Sequence, residues 1–162
     1  YNEAIECCDR AIKINPNLAE AWNNKGFALN NLGQYNEAIE RYDRAIGINP
    51  NYAAAWINKG SALDDLGQYN EAIECCDRAI KINPNLAEAW NNKGTALYNL
   101  GQYNEAIECY DRAIKINPNY AEAWYNKGNA VRAKVKYRIR ILGKQKDADQ
   151  CFAKARELGF KP

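Results

Sequence analysis

Residues 53–86 read AAAWINKGSALDDLGQYNEAIECCDRAIKINPNL, and a closely related stretch of the same length begins again at Ala87. Tryptophan occurs in the chain only at this 34-residue interval, and four of the five prolines keep the same interval. The tryptophans are Trp22, Trp56, Trp90 and Trp124, and the prolines are Pro16, Pro50, Pro84 and Pro118. Self-similarity at one fixed period predicts a repeat protein, in which each unit buries its apolar face against the next unit.

Each repeat carries the pattern of two helices. Trp56, Gly60 and Leu63 follow one another at spacings of four and three residues, which places them on one face of a first helix, helix A. Gly67 suits the end of that helix, and Asn70 is a candidate cap for the start of a second one, helix B. The predicted apolar face of helix B is formed by Ala72, Ile73, Cys76, Ala79 and Ile80.

The end of each helix B is predicted at the sequence Asn-Pro-Asn. The residue before a proline is pushed out of α geometry, and proline itself has no amide hydrogen with which to continue the helix. In the quoted unit this rule ends helix B at Asn83-Pro84, and the next helix A follows.

The whole pattern resembles that of the tetratricopeptide repeat family. The resemblance is carried by Trp56, Gly60, Gly67, Tyr69, Ala72, Ala79 and Pro84. A tyrosine usual in the family is replaced by Leu29, Leu63 and Leu97, and a usual leucine is replaced by Lys25, Lys59, Lys93 and Lys127. The resemblance implies an all-α fold in which tandem 34-residue helix-turn-helix repeats stack as a right-handed α-solenoid.

The period divides the chain, 1–162, into one array of five parts. They are a leading helix B (1–18), three full repeats (19–52, 53–86 and 87–120) and a last repeat (121–162) with an eight-residue basic insertion and a capping helix. The leading helix B has no helix A of its own, so we expect part of its apolar face, at Ala4, Ile5 and Cys8, to be exposed. Weak homo-association through this open N-terminal end is the expected consequence.

The insertion allows two interpretations. The Leu-Gly pair that ends helix A appears at Leu142-Gly143, eight residues later than the period predicts. Basic and apolar residues alternate across 134–141, which is a strand pattern, but the stretch 131–142 also continues the apolar stripe of helix A. We favour a lengthened helix A, because both flanks are helical and a single strand would have no partner.

Charge is divided unevenly along the chain. The formal net charge is +2, yet residues 1–128 carry −5 and residues 129–162 carry +7. No stretch approaches the roughly 18 apolar residues of a membrane span, so no membrane partner is expected. The basic segment 132–146 provides an alternative function, which is binding of nucleic acid or of an acidic partner. Nucleic acid is not favoured, because only Tyr137 offers a ring for stacking.

Catalytic chemistry has little support in the composition. The chain has no histidine, one serine (Ser61) and one threonine (Thr95), and its six cysteines lack an imidazole base. Without histidine or a Cys-x-x-Cys pair there is no usual zinc pattern. We expect a non-enzymatic protein without cofactor or metal, whose cysteines are the reduced thiols of a cytoplasmic protein. A third alternative, a regulatory repeat fragment of a larger enzyme, stays open.

One polar residue of helix A recurs with the period, two positions after each tryptophan: Asn24, Asn58, Asn92 and Asn126. In the family helix A faces the concave groove, and these residues resemble the asparagine ladder with which the repeats of O-linked N-acetylglucosamine transferase grip peptide backbones. A carboxamide suits that role because it both donates and accepts hydrogen bonds. The alternative is a structural role, with the asparagines bonding to the neighbouring repeat.

The resemblance implies that the chain is a protein-protein interaction scaffold, with an extended peptide in the groove. Further candidate groove residues are Asn23, Asn91, Phe27, Ile57 and Tyr125. Family members that bind the acidic carboxyl terminus of chaperones use lysines and an arginine, but here those places hold Glu20, Asn23, Ala54, Asn58, Glu88 and Asn92. We therefore expect a neutral or basic peptide, and we expect alanine at Asn58 and Asn92 to weaken its binding without disturbing the fold.

Overall fold

A computed structural model describes residues 1–137 and 144–160. Within these residues the chain forms nine α-helices joined by short turns, and none of the described residues lies in a β-strand. The helices are α1 (Asn2–Ile14), α2 (Ala19–Asn31), α3 (Tyr35–Ile48), α4 (Ala53–Asp65), α5 (Tyr69–Ile82), α6 (Ala87–Asn99), α7 (Tyr103–Ile116), α8 (Ala121–Tyr137) and α9 (Lys144–Glu157). The all-α fold class is confirmed.

The helices group into two compact units, residues 1–84 and residues 85–162. In the first unit, α2 packs on α3 and α4 packs on α5, while α1 and α3 each contact the helix A that follows them. In the second unit, α6 packs on α7, α8 packs on α9, and α7 contacts α8. Each unit is thus a stack of helix-turn-helix repeats, as the 34-residue period predicts.

Helices A and B approach most closely at the glycine of helix A. A Cβ atom added at Gly94 would lie 2.6 Å from Tyr110 Cε1, and one added at Gly26 would lie 2.7 Å from Tyr42 Cε1. At Gly60 the nearest side-chain atom is Cys76 Sγ at 3.3 Å, because cysteine replaces tyrosine there. The aromatic side chains fill the space that glycine leaves, which accounts for the burial of both tyrosines.

The turn between helices A and B requires a glycine. Gly67 has φ +76°, and Gly33 and Gly101 take nearly the same value, which disfavours any residue with a Cβ. The amide of Gln68 then donates to the carbonyl of Leu63 at 2.9 Å, closing the end of α4. The predicted cap at Asn70 is wrong, because α5 begins at Tyr69 and Asn70 lies inside it.

The Asn-Pro-Asn turn ends helix B as predicted. Asn83 is extended, with φ −144° and ψ 104°, as the following proline demands. In the equivalent turn before α4, the backbone amide of Asn51 donates to Asn49 Oδ1 at 3.1 Å. Trp56 Nε1 donates to the carbonyl of Pro50 at 3.0 Å, which ties helix A to the turn before it.

The lysine that replaces the family's leucine in helix A forms an ion pair with the preceding repeat. Lys25 Nζ lies 2.5 Å from Asp9 Oδ1, and the pairs Lys59–Asp43 and Lys127–Asp111 repeat this contact at 2.6 Å. The lysine side chains are only 18–22% exposed, so their stems pack while the ammonium group finds its partner. The substitution therefore keeps the contact between repeats.

The last repeat differs from the others at both helix ends. Helix α8 has 17 residues where α6 has 13, and it continues as a helix through Tyr137. The rest of the predicted insertion, 138–142, lies outside the described residues, so the choice between helix and strand stays a prediction there. At the other end Gly159, with φ +84°, follows α9 and reverses the chain direction. None of the described helices is long and apolar enough to cross a membrane.

Candidate peptide-binding face on the A helices

Two successive A helices of the first unit are joined through their asparagines. Asn58 Nδ2 donates to Asn23 Oδ1 at 2.9 Å, and Asn23 Nδ2 makes a longer contact of 3.4 Å with Asn24 Oδ1. Asn23 is 5% exposed, so its carboxamide is supplied with partners by the protein itself. Asn58 and Asn23 therefore have a structural role at this repeat contact.

Burial separates the predicted groove residues of this unit into two groups. Asn23 and Ile57 are 5% and 4% exposed, which differs from the expectation that they line an open surface. Asn24 is exposed and Phe27 is 52% exposed. Only the second pair offers its side chains to a ligand, because the first pair is covered by neighbouring repeats.

The second unit contains the same contact with an added carboxylate. Asn126 Nδ2 donates to Asn91 Oδ1 at 3.2 Å, and Asn91 Nδ2 donates to Glu122 Oε1 at 3.2 Å. Asn91 also hydrogen-bonds with the Tyr120 side chain and has no exposed surface. Like Asn23, it holds two A helices together and is too deeply buried to be a groove residue.

The contact between the buried asparagine and a glutamate occurs in the second unit and has no counterpart in the first. Ala54 occupies in α4 the position that Glu122 occupies in α8, so Asn23 has no glutamate to bond and turns to Asn24 instead. The exchange of Glu122 for Ala54 is visible in the sequence, but its link to the buried asparagine requires the structure.

Glu88 and Glu122 make the second unit locally acidic. Partial burial, and after it the charge of Glu122, raises the pKa of Glu88. Burial raises the pKa of the Tyr120 phenol well above its usual range, and the negative charges of Glu122 and Glu88 add to this effect. A positively charged group of a ligand would relieve this repulsion.

Tyr125, the remaining aromatic candidate, is covered by the chain's own C-terminal residues. Its ring centroid lies 4.7 Å from that of Phe160 and 5.7 Å from that of Phe152. Tyr125 holds the position of Asn23 and Asn91 in the earlier repeats. Phe160 thus covers in the last repeat the position that a following repeat covers elsewhere, and sequence reasoning missed it because only the reversal at Gly159 brings the ring back.

Two ladder residues keep their amide hydrogens available. Asn92 is half-buried and makes no side-chain hydrogen bond within the described part of the chain. Asn24 accepts only the long contact from Asn23, and its own NH₂ group has no partner among the described residues. Asn58 and Asn126 each donate one hydrogen bond from the amide nitrogen to the preceding repeat, and the carboxamide oxygen of each can accept from another donor.

Family models described as tetratricopeptide repeat match almost the whole described chain. One matches residues 53–86 and 87–120, and a second matches 7–40 and 109–150. A third, described as TPR repeat, matches 28–67. Among curated protein sequences there is no match.

Solved structures of repeat proteins have a similar fold. A crystal structure of MamA is 28% identical, with a TM-score of 0.78, over 96% of this chain and 86% of that chain. MamA 41-end from Desulfovibrio magneticus RS-1 is 25% identical, with a TM-score of 0.80, over 98% and 85% of the two chains. The first TPR of Spaghetti (RPAP3), bound to the HSP90 peptide SRMEEVD, is 27% identical, with a TM-score of 0.69, over 72% and 92%.

Proposed function

Because the chain belongs to the tetratricopeptide repeat family and is a protein-interaction scaffold, we propose that it binds an extended peptide segment of a partner protein. Within a unit the peptide lies along the A helices, with its backbone hydrogen-bonded to Asn24 and Asn58 in the first unit or to Asn92 and Asn126 in the second. This assigns to the chain an asparagine ladder of the kind that its sequence resembles.

The main support for this proposal is that each of these four side chains has hydrogen-bond donors or acceptors without a partner among the described residues. Asn92 has both its donors and its acceptor available within the described structure, and Asn24 has its donors available. Asn58 and Asn126 are held in place by one hydrogen bond each, which orients the remaining carboxamide oxygen. A carboxamide can pair with any peptide unit, so this mode of binding selects an extended backbone more than a side-chain sequence.

Side-chain preference comes from the carboxylates beside the ladder. Glu88 and Glu122 already repel each other, so an acidic peptide such as the one bound by the RPAP3 repeat would add to an unfavourable charge. A lysine or arginine of the peptide would instead form a charge-assisted hydrogen bond. We therefore assign a neutral or basic segment to this face.

Amide resonances of the labelled chain test the proposal. A peptide selected from a random library for binding to the full chain should shift resonances of the A helices, at the asparagines and at Phe27, and leave the exposed faces of α3 and α7 unchanged. Shifts confined to the B helices would contradict a ligand on this face.

A further inference from the structure

A second concave surface lies in the second unit, on other faces than the asparagines. It is a cleft of about 570 Å³ bounded by α7, α8 and α9. Its floor is apolar and includes Ile107 and Val131. Polar side chains of Lys134, Gln150 and Lys154 stand around it. An apolar floor with a few polar groups at its rim is the usual composition of a binding cleft.

The first unit contains the same cleft with a different charge. There a space of about 470 Å³ is bounded by α3, α4 and α5. Its lining has two acidic residues, Glu71 and Glu74, beside Lys59 and Arg78, so the charges balance. The described lining residues of the second unit's cleft include three lysines and one aspartate, which together carry a net charge of +2. Because the two clefts share one architecture, the difference lies in the side chains.

Two of the three lysines already have intramolecular partners. Lys127 Nζ lies 2.6 Å from Asp111 Oδ1, and Lys154 Nζ lies 2.9 Å from Glu157 Oε1. Lys134 is half-buried and has no ion-pair partner among the described residues. It stands in the extra turn of α8, where the earlier repeats have a leucine that ends helix A. The excess positive charge of the cleft is therefore centred on Lys134.

The second unit's cleft also lacks one acidic side chain that the first unit's cleft has. Gln150 occupies the position of Glu74, and both side chains are exposed. A half-buried ammonium group beside an apolar floor is matched by a ligand that presents a carboxylate next to an apolar side chain. Phosphate groups fit less well, because Asp111 and Glu157 stand beside two of the lysines and repel a continuous line of negative charge.

We propose that the cleft between α7, α8 and α9 binds an acidic segment of a partner protein. A glutamate or aspartate of that segment pairs with Lys134, and a neighbouring aliphatic side chain lies on Ile107 and Val131. This site uses none of the four asparagines, so it stands whether or not a peptide binds to the A helices. It gives the scaffold two surfaces of opposite charge preference in one unit.

Fluorescence anisotropy of the full chain with a labelled acidic peptide tests the site. The probe is a peptide of four Glu-Leu-Glu triplets, with a second peptide in which every Glu is Gln. We expect the acidic probe to bind and the Gln peptide to bind at least about tenfold more weakly. The variants Lys134→Glu and Gln150→Glu should each weaken the acidic probe by about tenfold, and more so at low ionic strength.

The matched control is Lys115→Glu, which makes the same charge change at an exposed residue of α7 outside the cleft. It should change the affinity by less than about twofold, since screening weakens distant surface charges. Equal losses in Lys134→Glu and Lys115→Glu, or equal binding of the two peptides, would overturn the site. So would a thymidine oligonucleotide of twelve residues that binds more tightly than the acidic peptide and loses its affinity in Lys134→Glu, because the cleft would then be a nucleic-acid surface.

Discussion

At the residue scale, one ladder position has two environments. Asn58 and Asn92 are separated by one period, and the sequence treats them alike. The side chain of Asn58 nevertheless donates to the buried Asn23, whereas the side chain of Asn92 makes no hydrogen bond within the described residues. Equal positions in the repeat therefore do not have equal structural importance, which leads to a direct test.

We predict that Asn58→Ala lowers the free energy of unfolding by about 1–3 kcal/mol, because it leaves Asn23 Oδ1 buried without a hydrogen bond. The control Asn92→Ala should change it by less than about 0.5 kcal/mol. Urea denaturation followed by circular dichroism measures both. Equal stability of the two variants would show that the contact between Asn58 and Asn23 is unimportant to the fold.

A pH effect is expected from Glu88, whose pKa is raised in the folded chain by partial burial and by Glu122. The native state then holds this proton more tightly than the unfolded chain, so stability falls as pH rises from the unfolded pKa through the folded one. We predict that Glu88→Gln raises Tm at about pH 7 by roughly one or two degrees, and that the gain disappears below about pH 4.

The control for Glu88 is Glu108→Gln, which removes the same charge from an exposed side chain of α7. Thermal melts at both pH values compare the variants. A gain in Tm that is the same for both substitutions would indicate a general effect of net charge. A gain for Glu88→Gln that persisted at low pH would contradict the assigned sign.

At the element scale, the distance between helices A and B is set by a glycine and the residue opposite it. A Cβ at Gly94 would lie 2.6 Å from the Tyr110 ring, whereas one at Gly60 meets Cys76 Sγ at 3.3 Å. We predict that Gly94→Ala destabilises the fold by about 1–3 kcal/mol through overpacking. Gly60→Ala should cost clearly less, because only a few tenths of an ångström must be absorbed there.

Denaturation of the two alanine variants checks this prediction. Adding Tyr110→Cys to Gly94→Ala should recover part of the loss, since the double variant then has the same pair of side chains as the Gly60→Ala variant, an alanine opposite a cysteine. The prediction fails if Gly60→Ala is as damaging as Gly94→Ala, or if the second substitution recovers nothing.

The elements themselves were predictable from sequence, because the period, the glycines and the prolines all act locally. Gly67 and Pro84 mark helix ends through backbone geometry alone, and the structure confirms both ends. The burial of Asn23 and Asn91 was not predictable, since it depends on a hydrogen bond from the next repeat. The cover that Phe160 places on Tyr125 likewise depends on the reversal at Gly159.

At the scale of the whole molecule, helix α1 repeats the sequence of α5 in a different setting. Ala72 and Cys76 of α5 are each 1% exposed, because α4 packs on them. The equivalent Ala4 is exposed and Cys8 is half-buried, since no described helix covers this face of α1. An apolar face that no described helix covers favours association.

We therefore predict weak, concentration-dependent self-association through α1. Sedimentation velocity across a hundredfold range of concentration measures it. A copy of the α4 sequence fused ahead of Tyr1 should abolish the association, because it would cover this face of α1 as α4 covers α5. A chain that stays monomeric throughout, or a fusion that associates as strongly as the original, would contradict the prediction.

If asparagines of the A helices hold a peptide by its backbone, removing their carboxamides must weaken binding. Calorimetry of a library-selected peptide with the double variant Asn24→Ala, Asn92→Ala measures this loss. These two side chains contribute little to the fold, so a loss of affinity reports on the ligand. We predict an affinity about tenfold or more below that of the original chain, with unchanged Tm. An unchanged affinity in this double variant would contradict it.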